Sequence, residues 1–426
     1  KKNKFSINIM AIIKPFKGIK YRTDENLDIS SKIAPPYDII DAKLQTDLYI
    51  KDPDNIVRII LGRQDPNEDN LIYERASGYY NNWIKNEIMQ VDEEDAVYVW
   101  DQKFSINHVN YNRRALIVKV KSESSSKNDI IPHEITIDDS IKDRLKLFNQ
   151  LNAQFSQVFS LYDDNDNSIK KIIKKNIKEP ILEADFDGVY NELFKIKSKK
   201  IIKDIIKKFK DKKIYIADGH NRYETTIRYH NLKNQNGYCL MSLIPIDDPG
   251  LIILPSHRAL KSKLSNFITL QKLEKNFIIE KKPFSDWPNI LNQINEIKAN
   301  HVFGFANRKL GMSGILRPLE KLNYSNLWEE YSKSWKMLDV SALHAFVFNN
   351  IFKIHKEKVF DNDHIYYSND EKACIDKLDQ DFNWVFFMRP TNIKQMIKIA
   401  DSGEIMPPES TFFYPKFLSG FIGSKL

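Results

Sequence analysis

The stretch KIYIADGHNRYETT, residues 213–226, constrains the fold more than any other part of the chain. Residues 214–217 form an apolar run typical of a buried strand, and residues 223–232 have the spacing of an amphipathic helix. The pattern therefore predicts a strand that passes into a helix through Asp218, Gly219, His220 and Asn221. At such a turn free backbone N–H groups and the positive end of the helix dipole can bind an anion.

Two further features of this turn bear on its chemistry. Arg222 could donate two parallel hydrogen bonds to a phosphate, and Gly219 has no Cβ to obstruct a phosphate oxygen. Asp218 is unexpected beside a phosphate, because a carboxylate repels it unless a metal ion or a transferring proton lies between them. The alternative is structural, with Asp218 as a helix N-cap and Gly219 as a turn residue, and it is favoured for the junction taken alone.

A second polar cluster lies in IPHEITIDDSIKDRLKL, residues 131–147. Glu134 follows Pro132 and His133, where the chain is stiff and extended and can direct a side chain into a cleft. Arg144 falls in the helix that follows. A base or Mg²⁺ ligand on one segment and a phosphate site on another is the arrangement that phosphoryl transfer requires. The structural alternative is an ordinary surface ion pair of Glu134 and Arg144.

The rest of the chain predicts a mixed α/β (α+β) fold. NIVRIIL and WVFFMRP have the composition of strands, residues 340–352 that of a helix, and the aromatic tail after residue 403 is expected to pack back on the body. The length of 426 residues favours several subdomains. We predict an N-terminal extension over residues 1–11 and subdomains over 12–125, 126–262 and 263–426.

Composition excludes several classes of protein. Cys239 and Cys374 are the only cysteines and are expected to be buried and reduced. The formal net charge of +8 comes mostly from lysines that alternate with apolar residues at helical spacing, which is typical of a solvated helix face and makes nucleic-acid binding an unlikely role. No apolar run is long enough to span a membrane, so we expect a cytoplasmic protein of unknown oligomeric state.

Several motifs together carry a resemblance to a known family. They are IKPFKGIKY, IAPPYDII, NIVRIIL, PHEITI with KDRLKL, IADGHNRYET, DPGLIILPSHRAL, LDVSALH and GEIMPPESTFFYPKFLSGF. In this order they resemble the bacterial and archaeal family numbered 1015 among domains of unknown function, from about residue 12 to the end. The DGHNR segment in turn resembles the phosphate box of the ParB and sulfiredoxin fold, whose members include nucleotide-dependent free serine kinases. The resemblance implies a ParB/sulfiredoxin-like core elaborated by additional α/β subdomains.

In the serine kinases a P-H-E segment supplies a catalytic glutamate and D-G-H-H-R supplies an aspartate and phosphate-binding groups. Carried over, Glu134 matches that glutamate, and Asp218, Gly219, His220 and Arg222 match the box. Asn221 replaces the second histidine, so an imidazole role there is lost, although an amide can still bind a phosphate. The cysteine that a sulfiredoxin-like activity needs is replaced by His220.

Other residues of the family motifs are further candidates for the same cleft. APPYD offers Tyr37, PSHR offers His257 and Arg258, and the tail offers Ser410, Thr411, Tyr414 and Lys416. Tyr37 and His257 could equally be buried residues with satisfied hydrogen bonds. Arg258 and Lys416 are the stronger candidates, because two cations near Asp218 would be unusual without an anionic ligand.

These residues predict a phosphoryl-transfer enzyme that acts on a small metabolite. The resemblance favours a free-serine-kinase-like activity on serine or phosphoserine, with ATP or ADP as the nucleotide and Mg²⁺ held by Glu134 and Asp218. His220 would share the catalytic role, and His133, Arg144 and the other candidates would bind substrate. Two alternatives stay open. One is a phosphoserine phosphatase-like hydrolase, and the other is a non-catalytic ParB-like regulator that binds a nucleotide or DNA.

Overall fold

A computed structural model describes residues 11–23, 26–64, 71–122, 129–319, 330–354 and 364–426. The predicted N-terminal extension therefore lies outside the described residues, except for its last position. Contacts divide the chain into two compact units. The first contains the described residues up to Pro132, together with Thr136–Ile252 and Pro415–Leu426, and the second contains His133–Ile135 and Ile253–Tyr414. The division into three subdomains stays a prediction.

Strands and helices alternate along the described chain. The strands are β1 (Ile13–Lys14), β2 (Gly18–Tyr21), β3 (Met89–Val91), β4 (Val97–Ile106), β5 (Val109–Lys121), β6 (Ile130–Ile131), β7 (Ala153–Gln154), β8 (Val158–Tyr162), β9 (Leu182–Phe186), β10 (Val189–Ile196), β11 (Ile214–Asp218), β12 (Tyr238–Pro245), β13 (Ile252–Leu254), β14 (His257–Leu260), β15 (Phe277–Pro283), β16 (Phe303–Asn307), β17 (Met312–Pro318), β18 (Ile365–Ser368), β19 (Trp384–Phe387), β20 (Phe412–Tyr414) and β21 (Gly423–Lys425). The helices are α1 (Ala42–Lys51), α2 (Val57–Ile60), α3 (Leu71–Lys85), α4 (Asp138–Leu151), α5 (Ser168–Asn176), α6 (Lys199–Phe209), α7 (His220–Leu232), α8 (Asn266–Glu274), α9 (Trp287–Glu296), α10 (Lys333–Lys336), α11 (Asp339–Ala342), α12 (Glu371–Asp376) and α13 (Ile393–Asp401). This content confirms the predicted mixed α/β class.

The first unit is built on a large mixed sheet with the order β6-β11-β8-β12-β5-β4-β10-β9, in which β1 also pairs with β5. The lysine-rich helices α5 and α6 contribute one apolar stripe each to the core of this unit, formed by Ile169, Ile173, Ile202, Ile205 and Phe209. Most of their lysines are exposed. The predicted solvated helix faces are therefore confirmed, since burial of the isoleucines stabilises these helices while the charges stay hydrated.

A second, smaller sheet of the first unit includes the aromatic tail. Its order is β3-β2-β21-β7, so that β21 lies between two strands from the first half of the chain. Phe417 packs edge-on against Trp100 and Phe159, with ring centroids 4.9 and 5.1 Å apart, and Phe421 lies 4.4 Å from Trp100. Burial of these rings holds the tail on the first unit.

The strand predicted for NIVRIIL is wrong, because residues 57–60 form the short helix α2. Asn55 decides this conformation. Its side chain is buried, accepts a hydrogen bond from Val57 N and donates to the carbonyls of Ser31 and Ile33. An asparagine that bonds to nearby backbone favours a turn or helix start over a strand, and the apolar run gives no sign of it.

The second unit contains a six-stranded sheet with the order β15-β17-β16-β19-β14-β18 and a pair formed by β13 and β20. The predicted helix over 340–352 and the strand in WVFFMRP are confirmed as α11, followed by a π-helix over Leu343–Phe352, and as β19. Both cysteines are buried and reduced, as expected. Within the described ranges no helix is both long and apolar enough to cross a membrane.

Candidate functional site

The predicted strand-to-helix turn is present in the first unit. β11 ends at Asp218, Gly219 has a φ of +92°, and α7 begins at His220. A left-handed backbone of this kind favours glycine. A Cβ at Gly219 would also lie 2.9 Å from Cζ of Arg222, so the guanidinium packs directly against the glycine backbone. The glycine thus allows both the tight turn and the close approach of Arg222.

The carboxylate of Asp218 forms ion pairs with two cationic side chains. Its Oδ2 accepts a hydrogen bond from Nη2 of Arg222 at 2.6 Å, and its Oδ1 accepts one from Nζ of Lys416 at 2.5 Å. The three side chains are largely buried, with exposed fractions of 20% for Asp218, 4% for Arg222 and 12% for Lys416. We call these three residues the cation–carboxylate cluster. Charge-assisted hydrogen bonds of this kind are shorter and stronger than neutral ones.

The electrostatics of the cluster favour the charged forms of its members. Burial alone would raise the pKa of Asp218, but the charges of Lys416 and Arg222 outweigh it and hold that pKa well below its usual range. Burial likewise opposes the charge of Arg222, yet the carboxylates of Asp218 and Asp38 raise its pKa above the ordinary value. Asp218 is therefore ionised throughout the physiological pH range and is a weak proton acceptor in this arrangement.

Arg222 is fixed by further contacts on both sides of the turn. Nη1 donates to the backbone carbonyl of Gln157, the residue before β8, and Nη2 lies 3.9 Å from Oδ2 of Asp38. Nε is buried and has no hydrogen-bond partner among the described residues. A buried donor without a partner is costly, and a ligand oxygen could accept a hydrogen bond from it.

Lys416 reaches the cluster because the tail is anchored on both sides of it. Gln102 donates to the carbonyl of Lys416 at 3.3 Å, Arg113 donates to the carbonyl of Pro415, and Phe417 is packed among the aromatic rings described above. The lysine is thus held by backbone contacts independent of its own charge. The tail motif made Lys416 a candidate cation near Asp218, but no local pattern in the sequence indicates a direct hydrogen bond between the two side chains.

Tyr37 and Arg144 lie together close to the cluster. The guanidinium of Arg144 is 4.1 Å from the ring centroid of Tyr37, and it also bonds to Asp143 and to the carbonyl of Ile60. Burial, and to a smaller extent the charge of Asp38, raises the pKa of Tyr37. Tyr37, Arg144 and Arg222 line a cavity of about 20 Å³, which is room for about one water molecule.

The two remaining residues of the box have different surroundings. Asn221 accepts a hydrogen bond through Oδ1 from the backbone N–H of Ile137, at 2.8 Å, so its amide joins α7 to the segment that leads into α4. This contact uses the amide oxygen, whereas the phosphate contact considered from the sequence would use the amide NH2 group and stays a prediction. His220 is buried at the first position of α7, with 6% of its surface exposed.

His133 and Glu134 belong to the second unit, where they contact the tail motif. Nε2 of His133 lies 3.0 Å from the hydroxyl oxygen of Thr411, and the same hydroxyl lies 3.2 Å from Oε1 of Glu134. The backbone carbonyl of His133 accepts from Met406 N at 2.8 Å. One threonine hydroxyl therefore joins the two residues of the P-H-E segment.

His257 and Arg258 also lie in the second unit, at the start of β14. His257 is fully buried and accepts a hydrogen bond at Nδ1 from Met388 N, whereas its Nε2 is buried without a hydrogen-bond partner among the described residues. Burial lowers its pKa to about 3, and the neighbouring charge of Arg258 acts in the same direction. Arg258 is 1% exposed and donates to the carbonyls of Ser256 and Glu409.

The described donors do not fit the predicted Mg²⁺ site. No group of three potential metal ligands occurs among the described residues. Both oxygens of Asp218 accept hydrogen bonds from cationic side chains, and Oε1 of Glu134 lies 3.2 Å from the hydroxyl oxygen of Thr411. A phosphate fits better, because the turn combines the positive end of the α7 dipole with two cations and the unpartnered Nε of Arg222.

The fold and the cluster define a mixed α/β protein with a cation–carboxylate cluster at a strand-to-helix turn. Comparison with protein families then gives the affiliation: the chain belongs to the family described as protein of unknown function (DUF1015), whose model matches residues 13–341. The family resemblance drawn from the motifs is thereby confirmed. A search of curated proteins finds no significant match.

The solved structures that match this chain have low sequence identity to it and low TM-scores. A mutant free serine kinase in complex with ADP is 10% identical, with 70% of this chain and 87% of that chain covered and a TM-score of 0.36. A conserved hypothetical protein from Pyrococcus furiosus is 12% identical, with coverages of 71% and 92% and a TM-score of 0.34. SbnI from Staphylococcus aureus, truncated at its C-terminus, is 9% identical, with coverages of 71% and 85% and a TM-score of 0.36. These likenesses assign no function to the chain.

Proposed function

We propose that this protein is a phosphoryl-transfer enzyme acting on a small metabolite, and that the cation–carboxylate cluster binds the phosphoryl group. The observation that carries the proposal is the pairing of Arg222 and Lys416 on Asp218 at the start of α7. Two cations and a helix N-terminus at one place supply the positive charge that a transferring phosphoryl group needs.

In this proposal Asp218 acts as an internal anion. Its carboxylate keeps Arg222 and Lys416 together while no substrate is bound, and a phosphate then competes for the same donors. The low pKa of Asp218 argues against its use as the base. Glu134 is the better candidate for that role, on the resemblance of its P-H-E segment to that of the serine kinases.

For the substrates we propose serine or phosphoserine together with ATP or ADP. This choice rests on the resemblance of PHE and DGHNR to the corresponding segments of free serine kinases. Hydrolysis of phosphoserine uses the same phosphate contacts and is therefore the second outcome of the test. The family itself is of unknown function and favours neither reaction.

A ³¹P NMR time course separates these reactions. One tube contains the protein, serine and ATP or ADP, and a second contains the protein and phosphoserine alone, each with Mg²⁺. Formation of phosphoserine in the first tube supports the kinase, and release of inorganic phosphate in the second supports the hydrolase. If neither tube gives a new ³¹P signal, the proposed substrates are wrong.

The role of the cluster is tested by a matched pair of substitutions. Lys416→Met removes one cation from Asp218, whereas Lys425→Met removes an exposed lysine of the same tail. We expect turnover to fall by about a hundredfold or more in the first variant and to stay unchanged in the second. If the two folded variants have equal activity, the cation–carboxylate cluster takes no part in the reaction.

A further inference from the structure

The second unit has a larger cavity of its own, with a volume of about 290 Å³. It is bounded by the start of β14, the segment after β19, and residues of α9, α11 and α13. Its lining is mainly polar and includes Arg258, Arg389, Asp339, Asn295 and Thr391. A volume of this size is at the lower end of the range of small-molecule pockets.

The positive charge of Arg389, in the wall of this cavity, is neutralised by Asp339. Its Nε and Nη2 lie 2.8 and 2.7 Å from Oδ2 of Asp339, and its Nη1 and Nη2 donate to the carbonyls of Ile297 and Ala299. The second oxygen of Asp339 accepts from His301 N at 2.7 Å. This pair stabilises the cavity wall and leaves no charge for a ligand to balance.

Arg258 has no such carboxylate partner on the wall. It is 1% exposed, and its hydrogen bonds go to the neutral carbonyls of Ser256 and Glu409. Its Nε is buried without a hydrogen-bond partner among the described residues. Burial lowers the pKa of Arg258, and the opposing effects of Tyr367 and Glu409 do not compensate for it. A buried guanidinium in this condition is stabilised by an anion.

We propose that this cavity binds a small monocarboxylate with a further polar group, such as a hydroxy acid. The carboxylate would accept from Arg258, and the polar group would face Thr391 and Asn295. Among the described residues lining the cavity, Arg258 is the one cation that forms no ion pair with a carboxylate of the lining, which matches a single negative charge better than a phosphate dianion. The inference concerns the second unit and goes beyond the proposed phosphoryl transfer.

Isothermal titration calorimetry of the full chain tests the ligand class. The probes are L-lactate and D-glycerate, with lactamide as the uncharged analogue and inorganic phosphate as the dianion. We expect saturable binding of at least one carboxylate and binding of lactamide weaker by about tenfold or more. The proposal is overturned if neither carboxylate binds, or if lactamide binds as well as lactate.

Two substitutions on α9 locate the binding site. Asn295→Asp places a negative charge at the rim of the cavity, whereas Asn292→Asp makes the same change at an exposed position that is not part of the lining. The first should weaken carboxylate binding by about tenfold, and the second should leave it unchanged. Equal affinities of these variants would place the carboxylate elsewhere.

Arg258→Gln provides a second test, provided that its near-ultraviolet circular dichroism matches that of the wild type. It should abolish carboxylate binding, and a folded variant with unchanged affinity contradicts the proposal. If this variant does not fold, the Asn295 and Asn292 pair decides the question. Phosphate binding in the first unit is expected to be the same in all three folded variants, so failure here is distinct from failure of the proposed phosphoryl transfer.

Discussion

Nζ of Lys416 lies 2.5 Å from Oδ1 of Asp218, although 198 positions separate the two residues in the sequence. The acid ends β11 in the large sheet of the first unit, and the lysine belongs to a tail that follows residues 253–414 of the second unit. The pKa of Asp218 therefore depends on a lysine from near the end of the printed sequence. Four predictions follow from the arrangement of these and other buried groups, and each has a matched control.

Removal of the tail cation should destabilise the protein in a pH-dependent manner. Lys416→Met leaves Asp218 with one cation, and we expect the free energy of unfolding at pH 7 to fall by about 2 kcal/mol. The folded pKa of Asp218 lies below its unfolded value of about 3.9, so the pair stabilises the fold above that pH and loses its effect as the pH falls towards the folded pKa. Urea unfolding should thus give a smaller difference at pH 3 than at pH 7. Lys425→Met should match the wild type at both pH values.

Neutralising the internal anion should strengthen phosphate binding. Asp218→Asn removes the carboxylate that competes for Arg222 and Lys416, so inorganic phosphate should bind about tenfold more tightly than to the wild type. Asp211→Asn, at an exposed turn just before β11, is the control and should bind as the wild type does. Weaker phosphate binding in the first variant, measured by calorimetry, would mean that Asp218 does not compete with the anion.

Alanine at Gly219 should cost more than alanine at another glycine with positive φ. Gly188 has a φ of +73° and no neighbouring atom within 4 Å of an added Cβ, so its replacement is expected to cost about 1 kcal/mol from backbone strain alone. At Gly219 the strain is joined by the contact with Arg222. Gly219→Ala should therefore lose about 2 kcal/mol or more in urea unfolding and also bind phosphate less tightly. Equal losses in the two variants would show that Arg222 moves away without cost.

The buried His257 should make the protein sensitive to mild acid. Its folded pKa of about 3 lies below the unfolded value of about 6.5, so its neutral form stabilises the fold above pH 6.5 and this stabilisation is lost as the pH falls from 6.5 towards 3. His257→Asn keeps an acceptor for Met388 N but cannot be protonated. Between pH 6 and pH 4 the wild type should lose about 1 kcal/mol per pH unit more than this variant. Substitution of the exposed His108 by asparagine should leave the wild-type slope unchanged.

Local patterns in the sequence predicted local structure well. The turn from β11 to α7 combines an apolar run, a glycine and an amphipathic helix within a few positions, and α6 has an uninterrupted isoleucine stripe. These signals depend on residues close together in the chain. NIVRIIL was predicted wrongly because Asn55, whose buried side chain fixes α2, bonds to residues more than twenty positions earlier.

The partners of the candidate site residues could not be predicted in the same way. Lys416 pairs with Asp218 only because the tail crosses the first unit, and Asn221 serves the entrance to α4. His133 and Glu134 follow β6 directly, yet they belong to the second unit through Thr411. Pairings between distant segments depend on the packing of whole sheets, and a single sequence contains no local sign of them.

The position of β21 between β2 and β7 has a consequence for biosynthesis. A ribosome translates residues 253–414 before it reaches the segment that supplies this strand and Lys416. While residues 253–414 are being translated, the small sheet of the first unit lacks β21 and Asp218 lacks the cation of Lys416. Nascent chains stalled shortly before residue 415 should accordingly be cleaved readily by protease around Trp100 and Phe159, where the tail has yet to dock.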